Sequence, residues 1–300
     1  MTVIQVQALS KTYGRSRGIQ DLSFQVDAKQ ILGFLGPNGA GKTTTIRTLL
    51  GMLRPTSGTA SILGLDIQKQ SVEIRRKVGY LPGELNLYPD MNALDVLTYF
   101  ASLRGITLPR LSHELIQQLQ LDPKKPICKL SKGNKQKIGI IQAFMHDPQV
   151  LILDEPTSGL DPLLQHTFDG LILEAKKQGK AVLLSSHVLG EVDRTADQIL
   201  IIKQGQVVAQ RPLMELKNQA QQQVEVEFAA LPPLHRLHNV PAVVESRIQG
   251  NTVVFTVTGN MDAFIKALAQ YEVLTLRSLS ANLESLFMDF YKEDSDVQRV

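Results

Sequence analysis

Short apolar segments recur along the first two thirds of the chain, separated by glycine-rich turns and amphipathic stretches. Alternating or continuously apolar positions predict strands. The predicted strands are Ile4–Val6, Leu22–Val26, Ile31–Leu35, Val150–Leu153, Ala181–Leu184 and Gln198–Ile202. The last three are short and almost continuously apolar, as in strands buried on both faces of a sheet. Parallel strands joined by helices make the expected fold class α/β.

The region from about 88 to 145 has the spacing of helices instead. The sequence Asn92-x-x-Asp95 resembles a capping box that opens a helix. Further helices are predicted at His113–Leu121 and Lys135–Phe144. We therefore expect a helical insert within the α/β core.

The composition changes at the polar segment Lys217–Gln223, which is a linker candidate. The pattern beyond it is strand, helix, two strands, helix, strand and a final helix. The predicted elements are Val224–Phe228, Leu234–Leu237, Val243–Ile248, Val253–Val257, Asp262–Tyr271, Val273–Leu276 and Leu283–Tyr291. This order fits a small ferredoxin-like α/β domain over 224–300, behind a larger domain over 1–216.

Composition places few further limits. The chain has 300 residues, of which 43% are hydrophobic and 20% charged, so it can form two globular domains. A formal charge of +3 does not indicate a nucleic-acid partner. The single cysteine, Cys128, excludes an intramolecular disulfide, and we expect it to be a small buried apolar residue. The sequence lacks an apolar run of about 20 residues, so any membrane role requires a partner.

The sequence Gly36-Pro37-Asn38-Gly39-Ala40-Gly41-Lys42-Thr43 has the pattern of a phosphate loop. The strand Ile31–Leu35 precedes it, and a predicted helix, Lys42–Leu53, follows. Backbone N–H groups and the helix N-terminus would cradle a polyphosphate, Lys42 would reach the β- and γ-phosphates, and Thr43 would bind Mg²⁺. A glycine turn that matches this pattern by chance is expected in on the order of one per cent of chains of this size.

The strand Val150–Leu153 leads directly into two carboxylates, Asp154 and Glu155. Behind a phosphate loop, Asp154 would hold Mg²⁺ through its hydration shell and Glu155 would polarise the attacking water. Taken alone, a pair of solvated carboxylates at a strand end is an equal alternative. The phosphate loop upstream favours the catalytic interpretation.

The segment Leu130–Gln136, with the sequence LSKGNKQ, is a short polar turn that opens a helix. Its serine and glycine could make a second anion site at a helix N-terminus. An ordinary serine N-cap is the favoured interpretation of this segment by itself.

Together these motifs resemble the nucleotide-binding subunit of ABC transporters, over about Val3 to Leu216. The resemblance rests on their order along the chain. The segments are Tyr13, Gly36–Thr43, Leu81–Glu84, Leu130–Gln136, Leu151–Glu155, Ser158–Asp161 and Ser185–His187. The implied fold is a P-loop NTPase core of ABC type, and the implied cofactors are ATP and Mg²⁺.

The resemblance implies that Tyr13 stacks on adenine, that Thr44 assists at the phosphates, and that His187 holds the γ-phosphate and the catalytic geometry. Each residue has an ordinary alternative, because a lone tyrosine usually packs and a lone histidine after a strand is usually a satisfied polar group. For His187, the apolar strand Ala181–Leu184 just before it favours the functional interpretation.

The resemblance also implies partners. Ser131 and Gly133 would contact the γ-phosphate bound to an opposite subunit, and Asp161 would couple the two sites. The simplest assembly is a head-to-tail pair of this chain around two ATP molecules. The family further implies an integral membrane permease, on whose cytoplasmic side the chain would sit as a peripheral subunit, and no nucleic-acid partner.

Two departures from the family pattern stand out. Gly83 occupies the position where the family carries a glutamine, so a magnesium ligand is missing there, or its role passes to Glu84 or water. In the segment Leu130–Gln136, which corresponds to the family's signature motif and which we call the signature turn, Lys132 and Asn134 replace a glycine and a glutamine. Lys132 could add positive charge at the phosphate or could simply be solvated.

The tail resembles an accessory domain of some bacterial exporter ATPases, which makes export the expected direction. The alternative class is an ABC ATPase without a transporter, of the translation or DNA-repair type. We also expect the segment Leu81–Tyr99 to line a groove for a permease helix, because Leu87 and Tyr88 are more apolar than a solvated loop needs. Alternatively, these side chains cap the core of the insert.

Overall fold

The computed structural model describes residues 1–14, 16–219, 222–259 and 261–279. The chain forms two compact units, Met1–Gln210 and Arg211–Val300. The predicted helix Leu283–Tyr291 lies outside the described residues. Among the described helices, none combines the length and the apolar character that crossing a membrane needs.

The elements of the first unit follow a mixed α and β order, ending in a strand that crosses the unit boundary. In chain order they are β1 (Thr2–Tyr13), β2 (Ser16–Asp27), β3 (Ile31–Leu35), α1 (Lys42–Leu49), β4 (Ser57–Ile62), β5 (Leu65–Asp66), α2 (Ser71–Lys77), β6 (Val78–Leu81), α3 (Ala93–Leu103), α4 (Arg110–Gln118), a 3₁₀ turn (Ile127–Lys129), α5 (Lys132–Phe144), β7 (Val150–Asp154), α6 (Pro162–Lys177), β8 (Ala181–Ser186), α7 (Leu189–Asp193), β9 (Gln198–Lys203) and β10 (Gln206–Pro212).

Two sheets enclose the main core of this unit. One has the strand order β10-β9-β3-β8-β7-β6, and the other has the order β2-β1-β4-β5. In the first sheet, β3 pairs in parallel with β8 and β9, and β7 pairs in parallel with β6 and β8. The strands β3, β7 and β8 are buried along their whole length, as their continuous apolar runs predict. Apolar side chains of both sheets and of α1 form one buried cluster.

The insert between β6 and β7 contains α3, α4 and α5. The predicted cap of α3 is confirmed, because the side chain of Asn92 accepts a hydrogen bond from the backbone N–H of Asp95. The expectation for Cys128 is wrong, since its side chain is exposed. In the 3₁₀ turn that carries it, the neighbouring Ile127 is the buried residue.

The second unit contains a four-stranded sheet with helices between its strands. Its elements are α8 (Leu213–Gln219), β11 (Gln222–Phe228), α9 (Leu234–His238), β12 (Val243–Gln249), β13 (Thr252–Val257), α10 (Asp262–Leu268) and β14 (Val273–Leu279). The sheet order is β12-β13-β11-β14, with antiparallel pairs throughout. This βαββαβ arrangement is ferredoxin-like, and it has a core of its own.

Some boundaries differ from the sequence analysis. α1 ends at Leu49, although the apolar spacing continues to Leu53, because Gly51 turns the chain with φ +66°. The polar segment expected as a linker contains the end of α8 and the start of β11. Lysine and glutamine are good helix formers, so a polar composition alone does not exclude helix.

Candidate functional site

Three neighbouring strands carry the candidate residues at their carboxyl ends. β3 leads into the phosphate loop, β7 ends at Asp154, and β8 ends one residue before His187. β8 lies between β3 and β7, and both pairings are parallel. The three chain segments therefore meet at one edge of the sheet, where α/β folds place their ligands.

The phosphate loop ends in a backbone conformation that requires glycine. Gly41 has a φ of +110°, and a Cβ added there would lie 2.8 Å from Cγ2 of Ile19. α1 begins at the next residue, Lys42, so its first N–H groups face the loop. This arrangement is an anion site made by backbone donors and a helix N-terminus.

A cavity of about 260 Å³ opens beside this loop. It is lined by Tyr13, Gly18, Pro37, Asn38, Gly39, Gly41, Lys42, Thr43, Thr44 and Glu155. Gly36 and Ala40 are buried and do not line it. Gly18 belongs to none of the sequence motifs, and its backbone lies against the ring of Tyr13. Tyr13 is 46% exposed, and Nζ of Lys11 lies 5.2 Å from the centroid of its ring.

The carboxylate of Glu155 lies between two groups that can carry positive charge. Its Oε1 is 3.2 Å from Nζ of Lys42, an ion pair without hydrogen-bond geometry. Its Oε2 is 2.7 Å from Nδ1 of His187. Lys42 is buried and also donates to the carbonyl oxygen of Gly36 over 2.6 Å, whereas His187 is half exposed. The structure thus brings Lys42, Glu155 and His187 together.

The backbone at Glu155 is strained. Its φ is +49°, in the left-handed region that glutamate rarely adopts, at a cost on the order of 1–3 kcal/mol. Its N–H donates both to the carbonyl oxygen and to Oγ of Ser185, over 3.2 and 3.1 Å. Strain at a residue that faces the cavity is a feature of functional sites.

Asp154 is buried, and both of its carboxylate oxygens accept hydrogen bonds. Oγ1 of Thr43 donates to Oδ2 over 2.8 Å, and Oγ of Ser185 donates to Oδ1. Ser185 had no predicted role, although the parallel register places it beside Asp154 on the neighbouring strand. Within the described residues, no group of three or more His, Cys, Asp or Glu could hold a metal. A cation beside Asp154 would thus rely on hydroxyl and phosphate oxygens.

Gly83 faces the same carboxylate. A Cβ added at Gly83 would lie 3.5 Å from Oδ2 of Asp154, which is ordinary van der Waals contact. Its φ lies outside the left-handed range. Neither space nor backbone conformation therefore requires glycine at this position.

The signature residues lie apart from the cavity. Ser131 caps α5 by accepting a hydrogen bond from the N–H of Asn134. Asp161 caps α6 in the same way, with the N–H of Leu164 as donor. Ser131, Gly133 and Asp161 are absent from the cavity lining. The structure thus does not bring them to the chain's own phosphate loop.

Two buried polar residues of α5, Gln136 and Lys137, received no role from the sequence. Nε2 of Gln136 donates to the carbonyl oxygens of Pro156 and Glu155, over 2.9 and 3.4 Å. Burial lowers the pKa of Lys137, and the charge of Asp161 opposes that shift. The available signal was the polar pair just before the apolar residues 138–141 of this helix.

A second cavity of about 260 Å³ lies in the first unit and is mainly apolar in its lining. We call it the insert groove. Its lining residues are Leu50, Met52, Arg75, Val78, Tyr80, Pro82, Leu85, Asn86, Leu87, Phe100, Arg104, Ile138, Gly139 and Gln142. Tyr88, next to Leu87, is 51% exposed and contacts Tyr99 edge-on, with 5.8 Å between ring centroids.

Comparisons with known proteins show which family the chain resembles. Residues 19–158 match the family model described as ABC transporter. The chain is 37% identical over 231 residues to the bacitracin transport ATP-binding protein of Bacillus licheniformis, covering 76% of each chain. It is 31% identical over 291 residues to the Nod factor export ATP-binding protein I of Paraburkholderia xenovorans, covering 95% of each. A solved structure described as an ATP binding subunit of an ABC transporter matches with a TM-score of 0.66 and 32% identity, over 72% of this chain and 92% of that chain.

Proposed function

Because this chain belongs to the ABC transporter family, as an ATP-binding and ATP-hydrolysing subunit, we propose that the phosphate-loop cavity is the ATP site and that Glu155 is the general base. The observation that carries this proposal is the position of the Glu155 carboxylate. It lines the cavity, between Nζ of Lys42 and Nδ1 of His187. From there Glu155 accepts a proton from the attacking water, while His187 holds the carboxylate and the γ-phosphate in place.

The rest of the cavity binds the nucleotide. The backbone N–H groups of Asn38, Gly39 and Gly41 to Thr43, which line the cavity, face the phosphates, and Lys42 neutralises the charge of the β- and γ-phosphates. Thr44 assists at the phosphates. The exposed ring of Tyr13, at the cavity edge, stacks on adenine.

Mg²⁺ fits the pair formed by Thr43 and Asp154. A hydroxyl and a carboxylate oxygen 2.8 Å apart are hard oxygen ligands, and Mg²⁺ sites typically combine one or two of these with phosphates and water. In our proposal Thr43 would ligate the ion, and Asp154 would hold it through its hydration shell. The ion would supply charge stabilisation of the transferred phosphoryl group. Ser185 orients Asp154 for this role.

A second copy of the chain completes the site. Ser131 and Gly133 do not line the chain's own cavity. We assign their contact to the γ-phosphate of ATP on the opposite subunit, in a head-to-tail dimer, with Asp161 coupling the two sites. ATP closes this dimer and hydrolysis opens it.

The membrane partner is an integral permease, on whose cytoplasmic side the chain sits as a peripheral subunit. The insert groove is the apolar docking surface for the permease, and Leu87 and Phe100 are among its lining residues. Relatives named for bacitracin transport and Nod factor export favour transport over a translation or repair role, and favour export as its direction.

Replacement of Glu155 by glutamine tests the catalytic assignment. Glu155→Gln keeps size and polarity but removes the base, so ATP hydrolysis should fall by about 10²–10⁴-fold while ATP still binds. Light scattering should then show an ATP-dependent dimer. Glu174→Gln, the same change at an exposed position of α6, is the control and should hydrolyse ATP at the wild-type rate. Wild-type turnover in Glu155→Gln, or a monomer at saturating ATP, would contradict the proposal.

A further inference from the structure

The signature turn lies directly against the loop 156–161 that follows Glu155. Nζ of Lys132 donates a hydrogen bond to Oγ of Ser158 over 2.9 Å. The methylene groups of Lys132 lie over the next residue, Gly159, whose added Cβ would be 3.3 Å from them. A Cβ added at Gly133 would lie 2.5 Å from the carbonyl oxygen of Gly159, so only glycine allows this approach. Two successive residues of the turn thus contact two successive residues of the loop.

The same helix end reaches the backbone of Glu155. Gln136, one turn beyond Lys132 on α5, is buried and donates to the carbonyl oxygens of Pro156 and Glu155. α5 therefore touches the loop 156–161 at its start through Gln136 and in its middle through Lys132. These contacts connect the turn to the chain segment that carries the Glu155 carboxylate.

Of the two side chains that connect α5 to the loop 156–161, Lys132 makes the hydrogen bond that is more easily broken. Gln136 is buried, whereas Lys132 is exposed and its acceptor is a neutral hydroxyl. The net contribution of such a hydrogen bond to stability is modest, so this bond can form and break. The direction of the lysine, along Gly159 to Ser158, favours a contact within the chain over a free ammonium group facing solvent.

We propose that Lys132 is a positioning residue for ATP hydrolysis. Its hydrogen bond to Ser158 ties the signature turn to the loop after Glu155. Contact of Ser131 and Gly133 with nucleotide on the opposite subunit thereby sets the position of Glu155 in this subunit. The inference rests on the head-to-tail dimer of the proposed function and extends it to a residue where this chain departs from the family pattern.

A double-mutant cycle on the full chain tests the connection. Lys132→Met keeps the packing over Gly159 but removes the donor, and Ser158→Ala removes the acceptor. Each should lower kcat by about three- to tenfold and change half-saturating ATP by less than about twofold, because a positioning defect acts on the chemical step. The double variant should be no slower than the slower single variant, since both changes break the same hydrogen bond.

Conservative variants and a charge control separate positioning from general damage. Lys132→Arg and Ser158→Thr keep donor and acceptor and should retain most of the wild-type kcat. Lys129→Met removes the same charge from an exposed position just before the turn and should leave kcat unchanged. Thermal unfolding of each variant without ATP verifies that it is folded.

Additive losses in the double variant would overturn the inference. So would a slow Lys132→Met beside a wild-type Ser158→Ala, which would mean that Lys132 contacts phosphate instead. Wild-type kcat in both single variants would also overturn it. If the wild-type chain does not hydrolyse ATP, or Glu155→Gln does not dimerise with ATP, the proposed function fails and this inference fails with it.

Discussion

His187 and Glu155 are in direct contact, with 2.7 Å between Nδ1 of the imidazole and Oε2 of the carboxylate. The two residues follow the ends of adjacent parallel strands, β8 and β7. The rigid sheet therefore fixes the distance between their backbones, and the imidazole fixes the orientation of the carboxylate.

Removal of this imidazole should slow hydrolysis more than it weakens binding. His187→Ala should lower kcat by about 10²-fold, because Glu155 loses the group that orients it. ATP affinity, measured by titration calorimetry, should change by only a few-fold. His166→Ala, at an exposed position of α6, should behave as wild type. A purely structural His187 would leave kcat unchanged.

Glutamine should be accepted at residue 83. Space beside Asp154 and an ordinary φ predict that Gly83→Gln folds and hydrolyses ATP at the wild-type rate or faster. Gly133→Ala is the contrast, because its Cβ would meet the carbonyl oxygen of Gly159, and it should lose most activity. Steady-state ATPase assays of both variants make the comparison. Collapse of activity in Gly83→Gln would show that the glycine itself is needed.

Charges in the insert groove should release the chain from membranes. Leu87→Asp and Tyr88→Asp together place carboxylates in and beside the groove, which disfavours an apolar partner surface. When membranes are pelleted from cells, the double variant should stay in the supernatant, while the purified variant still binds ATP. Leu103→Asp is the control, an exposed leucine of the insert outside the groove lining, and should still pellet. Retained pelleting of the double variant would place the docking surface elsewhere.

Acidification should destabilise the chain through His146. Burial, with help from Arg104 and Lys180, lowers the pKa of His146 to about 4, from an unfolded value of 6.5. Its Nε2 faces the carbonyl oxygen of Val78, and its Nδ1 has no hydrogen-bond partner among the described residues. Between these two pKa values, the unfolded chain binds a proton that the folded chain does not. The free energy of unfolding therefore falls as the pH is lowered through this window.

Urea unfolding at pH 7.5 and at pH 5 measures this loss. His146→Gln can still donate to Val78 but cannot be protonated, so its loss between the two pH values should be smaller than that of the wild type. His113→Gln, the same substitution at an exposed position of α4, should follow the wild-type curve. Equal losses in wild type and His146→Gln would assign the acid sensitivity to other groups.

The tail should be dispensable for nucleotide binding. The apolar cluster of the second unit contains only residues from Val224 onward, and the cavity lining contains only residues before 156. A chain truncated after Gln219 should bind ATP with the affinity of the full chain in a titration with a fluorescent ATP analogue. Loss of binding in a truncated chain that still folds would show that the tail completes the site.

Local patterns sufficed for much of the fold and of the site. The phosphate loop, Asp154, Glu155 and His187 all follow buried apolar strands, so their places at one sheet edge could be predicted from sequence. The contacts of Ser185 with Asp154 and of Lys132 with Ser158 could not, because they join residues that are distant in the chain. The exposure of Cys128 was missed because apolar character does not specify which side of a short turn faces solvent.

The left-handed backbone of Glu155 has an evolutionary consequence. Glycine adopts a φ of +49° without the steric penalty that glutamate carries, so the residue best suited to folding at this position differs from the one best suited to chemistry. Selection for stability alone would favour the replacement of this glutamate, whereas selection for ATP turnover retains it. A duplicated protein that is no longer selected for transport should therefore lose Glu155 early, while its phosphate loop and its fold persist.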